Sequence, residues 1–251
     1  MRDWVEARAR HRAMLVAVDF DGTLAPIVPH YRDATVVDGA RAALETLAAR
    51  SDTRVAIVSG RGLDDVRARV GLDALFYAGN HGLEIEGPGV HRVHADALGA
   101  RPALEDCIVR LQDLTDAIDG LLLEDKGLTL SIHYRLVRDP ERAALAVQEI
   151  RRRCGDQAAL EITEGKKIVE IRPRVEWDKG RATAFLVEQL LPVGPVVFIG
   201  DDRTDEDAFR AIAGRGEGVV VGDPPPPDTA AASYVRSPIE VADLLGQLAG
   251  A

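Results

Sequence analysis

The sequence predicts an α/β protein, a doubly wound, mostly parallel, Rossmann-like sheet core carrying a smaller inserted α/β cap domain. Three observations predict it. Short runs at Leu15–Val18, Val55–Val58, Leu75–Ala78 and Val196–Ile199 are almost wholly apolar, as strands covered on both faces are. Helical apolar spacing follows three of these runs. Between about Pro102 and Pro173 the alternation of strand and helix breaks, and the order becomes helix, strand, strand, helix, strand, strand.

Taken in order, Ala40, Leu44, Leu47 and Ala48 recur on one helical face after the first run. Leu63, Val66 and Val70 do so after the second, and Ala208, Phe209 and Ile212 after the fourth. Gly218–Val221 reads as a fifth strand. Ser237-Pro238-Ile239-Glu240 has the pattern of a capping box with proline at the first helical position. In the interrupting segment, Leu121–Asp125 pairs with Leu128–Tyr134 and Leu160–Thr163 with Ile168–Arg172. Gly127 and Gly165 stand at the two hairpin turns. Thr129, Ser131 and His133 alternate with Leu128, Leu130 and Ile132, so one sheet face is open and helices cover the other. The expected division is a core of residues 1–103 and 175–251 with an inserted cap at 104–174, hinged near 100–104 and 173–178. Asp223-Pro-Pro-Pro-Pro-Asp228 is a stiff turn, too short for a linker.

The 251 residues allow a sizeable core, built from Ala, Val, Leu and Ile because aromatics are only 4%. A net charge of −10 argues against general nucleic-acid or anionic-membrane binding. An anionic substrate would then need a metal and a few placed cations. Cys107 and Cys154 lie in no metal-binding spacing, which suits a reduced, cytoplasmic chain. The segment before Met14 is charged, with no apolar signal region, and no run approaches a membrane span.

Polar groups collect at the carboxyl ends of the strands, where open parallel sheets bind ligands. The first strand ends in Asp19 and Asp21, the second in Ser59-Gly60-Arg61, and the third in Gly79-Asn80-His81-Gly82. The fourth ends in Gly200-Asp201-Asp202-Arg203-Thr204-Asp205, and Lys179 opens the preceding helix. Neighbouring carboxylates repel, and a hard divalent cation relieves that cost. Mg²⁺ takes one or two carboxylates together with substrate phosphate; Asp19, Asp201 and the carbonyl of Asp21 could supply its ligands. Phosphoryl transfer then assigns Asp19 as nucleophile and Asp21 as general acid and base. Ser59 donates to a phosphoryl oxygen and Lys179 balances charge. Asp202 and Asp205 could orient metal waters or Lys179. Each feature alone also fits a turn, a cap or a solvated side chain; their common order along one topology carries the functional reading.

DFDGTL at 19–24, VSGR at 58–61, Lys179 and GDDRTDED at 200–207 resemble the four motifs of the haloacid dehalogenase-like phosphatases. That resemblance implies Mg²⁺, an aspartyl-phosphate intermediate and a cap over the site. AGNHGLE at 78–84, LEDKGLTLSIHYR at 123–135 and EGKKIVEIRPRVEWDKG at 164–180 are similar to segments of the trehalose-6-phosphate phosphatase family. By position, the resemblance makes Glu124, Lys126 and Glu170 cap residues that hydrogen-bond the sugar distal to phosphate. It places Asn80, His81 and Glu84 near the seam between core and cap, and draws His133 and Arg135 into substrate binding with Gly60 and Arg61. It implies trehalose 6-phosphate as substrate, a stand-alone phosphatase with no sugar-transferring domain, and a functional link to a trehalose-6-phosphate synthase.

From the residues alone, Glu124 and Lys126 lie two apart on a strand and so face one side, with Glu170 on the neighbouring hairpin. A cross-strand ion pair fits them as well. Arg135 and Arg172 fit either phosphate guides or solvated charges. Other functions remain open: a phosphatase for sucrose phosphate or mannosyl-phosphoglycerate, a phospho-accepting signalling module, or a silent sugar-phosphate sensor. The insertion opposes the signalling module, which needs an open site. The full set of Asp19, Asp21, Ser59, Lys179 and Asp201 opposes the silent sensor.

Overall fold

Two sheets organise the chain in a computed structural model that describes residues 13–190 and 194–250. The charged segment preceding these residues lies outside the description. Contacts separate two units. The first comprises the described residues up to Val28, Ala34–Arg92 and Trp177 onward; the second comprises Pro29–Asp33 and Val93–Glu176. The second unit thus begins at Val93 rather than near 104, because a short helix leads into its first long helix, and it also takes in Pro29–Asp33.

In the first unit the strands are β1 (Met14–Val18), β2 (Thr53–Val58), β3 (Phe76–Gly79), β4 (Glu84–Gly87) and β5 (Val90–Val93). After the insertion come β10 (Val196–Gly200), β11 (Gly216–Val221) and β12 (Ser233–Val235). They form one sheet in the order β12-β11-β10-β1-β2-β3-β4-β5. Pairings from β12 through β3 are parallel, and β4 runs antiparallel to β3. The helices are α1 (Ala40–Ala48), α2 (Leu63–Val70), α6 (Lys179–Leu190), α7 (Asp205–Ala211) and α8 (Pro238–Gly250).

All five β1 side chains are buried, and they alternate between two cores. Met14, Val16 and Val18 pack with Leu44 and Leu47 of α1, Val66 of α2 and Leu245 of α8. Leu15 and Ala17 pack with Leu186 of α6 and Phe209 of α7. Burying each such Val or Leu contributes about 1.5–3 kcal/mol, so β1 is held on both faces and its carboxyl end is fixed. At α8, Ser237 Oγ accepts from the Glu240 amide at 3.4 Å, while the Glu240 carboxylate reaches back to the Arg236 amide at 2.9 Å. The predicted capping pair therefore forms with its return bond shifted by one residue.

The second unit holds α3 (Ala95–Gly99), α4 (Arg101–Ala117), β6 (Leu122–Asp125), β7 (Leu130–His133), α5 (Pro140–Cys154), β8 (Leu160–Gly165) and β9 (Ile168–Pro173). Its sheet runs β6-β7-β9-β8 and is antiparallel throughout. One face, with Leu130, Ile132, Val169 and Ile171, packs on Leu104 and Leu111 of α4 and Ile150 of α5. The other carries the polar alternates. Asp139 starts α5 by accepting from the Glu141 and Arg142 amides at 2.9 and 3.3 Å. The second hairpin differs from expectation at its turn: Lys167, with φ +69°, takes the left-handed position, and Gly165 remains in β8.

Candidate active site

The site forms where β1, β2 and β10 end. The Asp19 amide donates to Ile199 O at 2.8 Å, extending the β1–β10 ladder by one residue and fixing Asp19 beyond the strand. Gly22 then turns the chain at φ +84°, and a Cβ there would lie 2.3 Å from Asp201 Oδ2. Glycine is required twice at this position, for the left-handed backbone and for the approach of Asp201.

Lys179 is 3% exposed and donates from Nζ to Asp19 Oδ1 and to Asp205 Oδ1, both at 2.7 Å. Asp205 is fully buried, and its Oδ2 accepts from the Asp202 amide at 2.9 Å. Burial pushes the Asp19 carboxyl well above the usual carboxylate range; Lys179 opposes the rise, while Asp205 and Asp201 add to it. Burial alone would lower the Lys179 ammonium, but attraction to Asp19 and Asp205 holds it above the ordinary lysine value.

Asp19, Asp201 and Asp205 each bring a carboxylate oxygen within 4.8 Å of the others. Three acids around one lysine leave excess negative charge in a buried place. An all-oxygen donor set of this kind suits a hard divalent cation, so these residues fit a metal ion. The expected set joined the Asp19 and Asp201 carboxylates with the Asp21 carbonyl; among side chains, Asp205 completes the cluster. Asp205 is the first residue of α7, and its two carboxylate oxygens accept from Lys179 Nζ and from the Asp202 amide. The Asp21 side chain instead lies on Arg61.

That second pair is bidentate: Arg61 Nε donates to Asp21 Oδ2 at 2.7 Å and Nη2 to Asp21 Oδ1 at 2.8 Å. Arg61 Nη1 donates to Asp65 at 2.7 Å, and its guanidinium lies 5.1 Å over the ring of Phe20, which is buried in the core. Burial works to raise the Asp65 carboxyl, but hydrogen bonds from Arg69 and Arg61 hold it below the usual value. Arg61, expected to bind phosphate, is here engaged by the two carboxylates of Asp21 and Asp65. Asp65 was not expected in the site; its spacing four residues after Arg61, in the first turn of α2, is the signal that could have found it.

Ser59 is 1% exposed, and its Oγ accepts from the Arg61 amide at 3.2 Å. The turn Asn80–Gly82 clasps this loop: the Asn80 amide donates to Arg61 O at 2.7 Å and the His81 amide to Ser59 O at 2.8 Å. The His81 ring sits so close to Gly60 that a Cβ on Gly60 would lie 2.7 Å from it. Asn80 Nδ2 donates to Glu84 Oε2 at 2.7 Å; burial raises the Glu84 carboxyl and the Asn80 bond opposes that rise. Trp177, also unexpected, donates from Nε1 to Gly82 O at 2.8 Å and so holds the same turn from the residue two before Lys179.

In the second unit, the register Glu124–Ser131–Glu170 runs across three strands. Lys126 Nζ donates to Glu170 Oε1 at 3.3 Å, and His133 Nε2 lies 2.8 Å from Glu124 Oε2. Arg135 donates to Lys166 O at 2.6 Å, and Arg172 pairs with Glu161 at 3.0 Å. Glu124, Lys126, His133 and Glu170 therefore share one sheet face, while the two arginines are engaged by neighbouring chain.

A parallel-rich sheet with Asp19 just beyond β1, Ser59-Gly60 after β2, Lys179 opening α6 and acids after β10 shares its fold with a solved haloacid dehalogenase-like hydrolase of Bacteroides thetaiotaomicron, with a TM-score of 0.64 at 16% identity, covering 94% of this chain and 99% of that one. Residues 17–228 match the family model described as trehalose-phosphatase, and the chain belongs to that family. It is 38% identical over 252 residues to a probable trehalose-phosphate phosphatase of Oryza sativa subsp. japonica, covering 97% of this chain and 68% of that protein. It is 42% identical over 247 residues to an uncharacterized glycosyl hydrolase of Mycobacterium tuberculosis, covering 95% of this chain but only 18% of that protein. The solved C-terminal domain of the Candida albicans trehalose-6-phosphate phosphatase superposes with a TM-score of 0.82 at 24% identity, covering 98% of this chain and 95% of that one; at that identity the likeness concerns the fold. Among the described residues, no helix is long and apolar enough to cross a membrane.

Proposed function

We propose that the protein is a Mg²⁺-dependent phosphatase that hydrolyses trehalose 6-phosphate to trehalose and phosphate through an aspartyl-phosphate on Asp19, acting in the cytoplasm on the product of a trehalose-6-phosphate synthase. Family membership supports the phosphosugar substrate. The observation that carries the chemistry is the buried cluster of Asp19, Lys179, Asp205 and Asp201 at the ends of β1 and β10.

Lys179 holds Asp19 by one oxygen and leaves the other to attack phosphorus. A P–O bond forms to Asp19 as the bond to the sugar oxygen breaks, and Asp21 supplies the proton that oxygen takes. Water then attacks the phosphorus, giving its proton to Asp21, and free phosphate and Asp19 are regenerated. The Asp21 carboxylate leaves Arg61 to do this, so Arg61 serves as its resting partner. Ser59 Oγ hydrogen-bonds a phosphoryl oxygen, with its loop braced by the Asn80–Gly82 turn. Asp19, Asp201 and either Asp205 or the Asp21 carbonyl would hold the cation, which would supply charge neutralisation for the phosphoryl oxygens. On the second unit, Glu124, Lys126 and Glu170 offer the alternating acceptors and donors that a polyhydroxylated sugar needs.

Phosphate release from trehalose 6-phosphate, sucrose phosphate, mannosyl-phosphoglycerate and glucose 6-phosphate, with Mg²⁺ and after chelation, tests this reading. A clear preference for trehalose 6-phosphate that chelation abolishes is the expected result. Equal rates on all four would overturn the substrate, and full activity without a divalent cation would overturn the metal.

A further inference from the structure

Tyr31 lies on the segment that follows the loop of Asp19 and Asp21, and this segment, Pro29–Asp33, groups with the second unit. Its ring stacks on His133 with centroids 4.4 Å apart and planes 5° from parallel. His30 stacks in turn on Tyr31 at 5.2 Å, and Arg32 Nε donates to the Tyr31 hydroxyl at 3.1 Å. The tyrosine is thus held by both its neighbours in sequence.

His133 is the last residue of β7, where a side chain has two rotatable bonds and a solvent-facing strand end. The parallel Tyr31 ring fixes the plane of the imidazole, and with the plane fixed, Nε2 meets Glu124 Oε2 at 2.8 Å. One carboxylate oxygen of Glu124 is thereby tied, and the direction of the other is set. Lys126 and Glu170 hold each other at 3.3 Å on the same sheet face.

We propose that Tyr31 is a specificity-positioning residue. Through its stack on His133 it orients the Glu124 carboxylate that accepts hydrogen bonds from hydroxyls of the non-reacting sugar. The proposal rests on the reading of Glu124 as a sugar ligand. Losing one stacked aromatic contact of this kind costs roughly fivefold to tenfold in binding.

The test compares kcat and KM on trehalose 6-phosphate with those on p-nitrophenyl phosphate, which carries no sugar, for Tyr31→Ala, Tyr31→Leu, Tyr31→Phe and Glu124→Gln. Leucine keeps apolar bulk in place of the ring, so its behaviour separates loss of the planar face from loss of local folding. The expected result is a KM for trehalose 6-phosphate raised roughly fivefold to tenfold in the alanine and leucine variants. Phenylalanine restores the parent value, and p-nitrophenyl phosphate turnover is unmoved by any Tyr31 change. Glu124→Gln also raises KM for the sugar phosphate, and adding Tyr31→Ala to it costs little more, because the two act in series. If Glu124→Gln raises KM and Tyr31→Ala does not, or if Tyr31→Ala slows both substrates alike, the positioning role is wrong while the sugar reading stands. If Glu124→Gln leaves KM unchanged, the sugar reading of Glu124 fails and the proposal falls with it.

Discussion

Replacing Lys179 with methionine keeps most of the length of the side chain and removes its charge. In the parent, one ammonium serves Asp19 and Asp205 at 2.7 Å each, with the Asp201 carboxylate within 4.8 Å of both. The side chains of Asp19 and Asp205 are 5% and 0% exposed, so water cannot take over. Removing one partner from a buried ion pair costs about 3–5 kcal/mol, against a total of roughly 5–15 kcal/mol for a domain. Urea denaturation of the variant at pH 7 in chelator should show a loss in that range. Adding Asp205→Asn should recover part of it by removing one of the stranded charges. A divalent cation at a hundredfold over its dissociation constant should return about 2.7 kcal/mol, because it replaces the missing positive charge. Turnover should fall on the order of 10²–10³-fold, as for loss of one placed donor to a reacting oxyanion. A variant within about 1 kcal/mol of the parent in chelator, on the scale set by those buried-pair costs, would refute the reasoning that Lys179 neutralises this cluster.

Two further outcomes follow from the same geometry. Gly22→Ala should lose roughly 1–2 kcal/mol to the left-handed backbone, and its Cβ would press on Asp201 Oδ2 at 2.3 Å; a raised Mg²⁺ requirement in the activity assay is expected, and an unchanged one would place Asp201 outside the metal site. Asp65 has a folded pKa below its ordinary 3.8, so its stabilisation is fully present above about 3.8 and is lost as pH falls through the folded value. Asp65→Asn should flatten the decline of the urea midpoint below pH 4, and an unaltered acid limb would contradict the pairing with Arg61 and Arg69.

Much of this arrangement was legible because of what each element must bury. A strand covered on both faces cannot hide polar residues, so β1, β2 and β10 announce themselves as apolar runs and their polar ends stand out. The four-stranded sheet was legible through alternation, which places Glu124, Lys126 and His133 on one side. Edge elements were not. Glu84–Gly87 and Val90–Val93 are short, half-exposed strands with no apolar run, and Ser233–Val235 is shorter still. Nor could spacing say which acid after β10 reaches Lys179. Asp205 opens α7 while Asp202 lies in the turn before it, and that geometry buries Asp205 and leaves Asp202 to donate its amide. The Asp21–Arg61 pair joins positions 40 residues apart, and the Tyr31–His133 stack joins a loop to a strand far along the chain. Neither leaves a periodic trace.

The measurement that bears most directly on the account is acid quenching of a single turnover by Asp21→Asn of p-nitrophenyl phosphate, whose nitrophenolate leaves without needing a proton from Asp21, followed by mass mapping of the phosphorylated peptide. That variant keeps the nucleophile and loses the group that activates water, so it should accumulate a phosphoryl group on Asp19. A phosphoryl group on any other residue, or none while phosphate is still released at the parent rate, would contradict it.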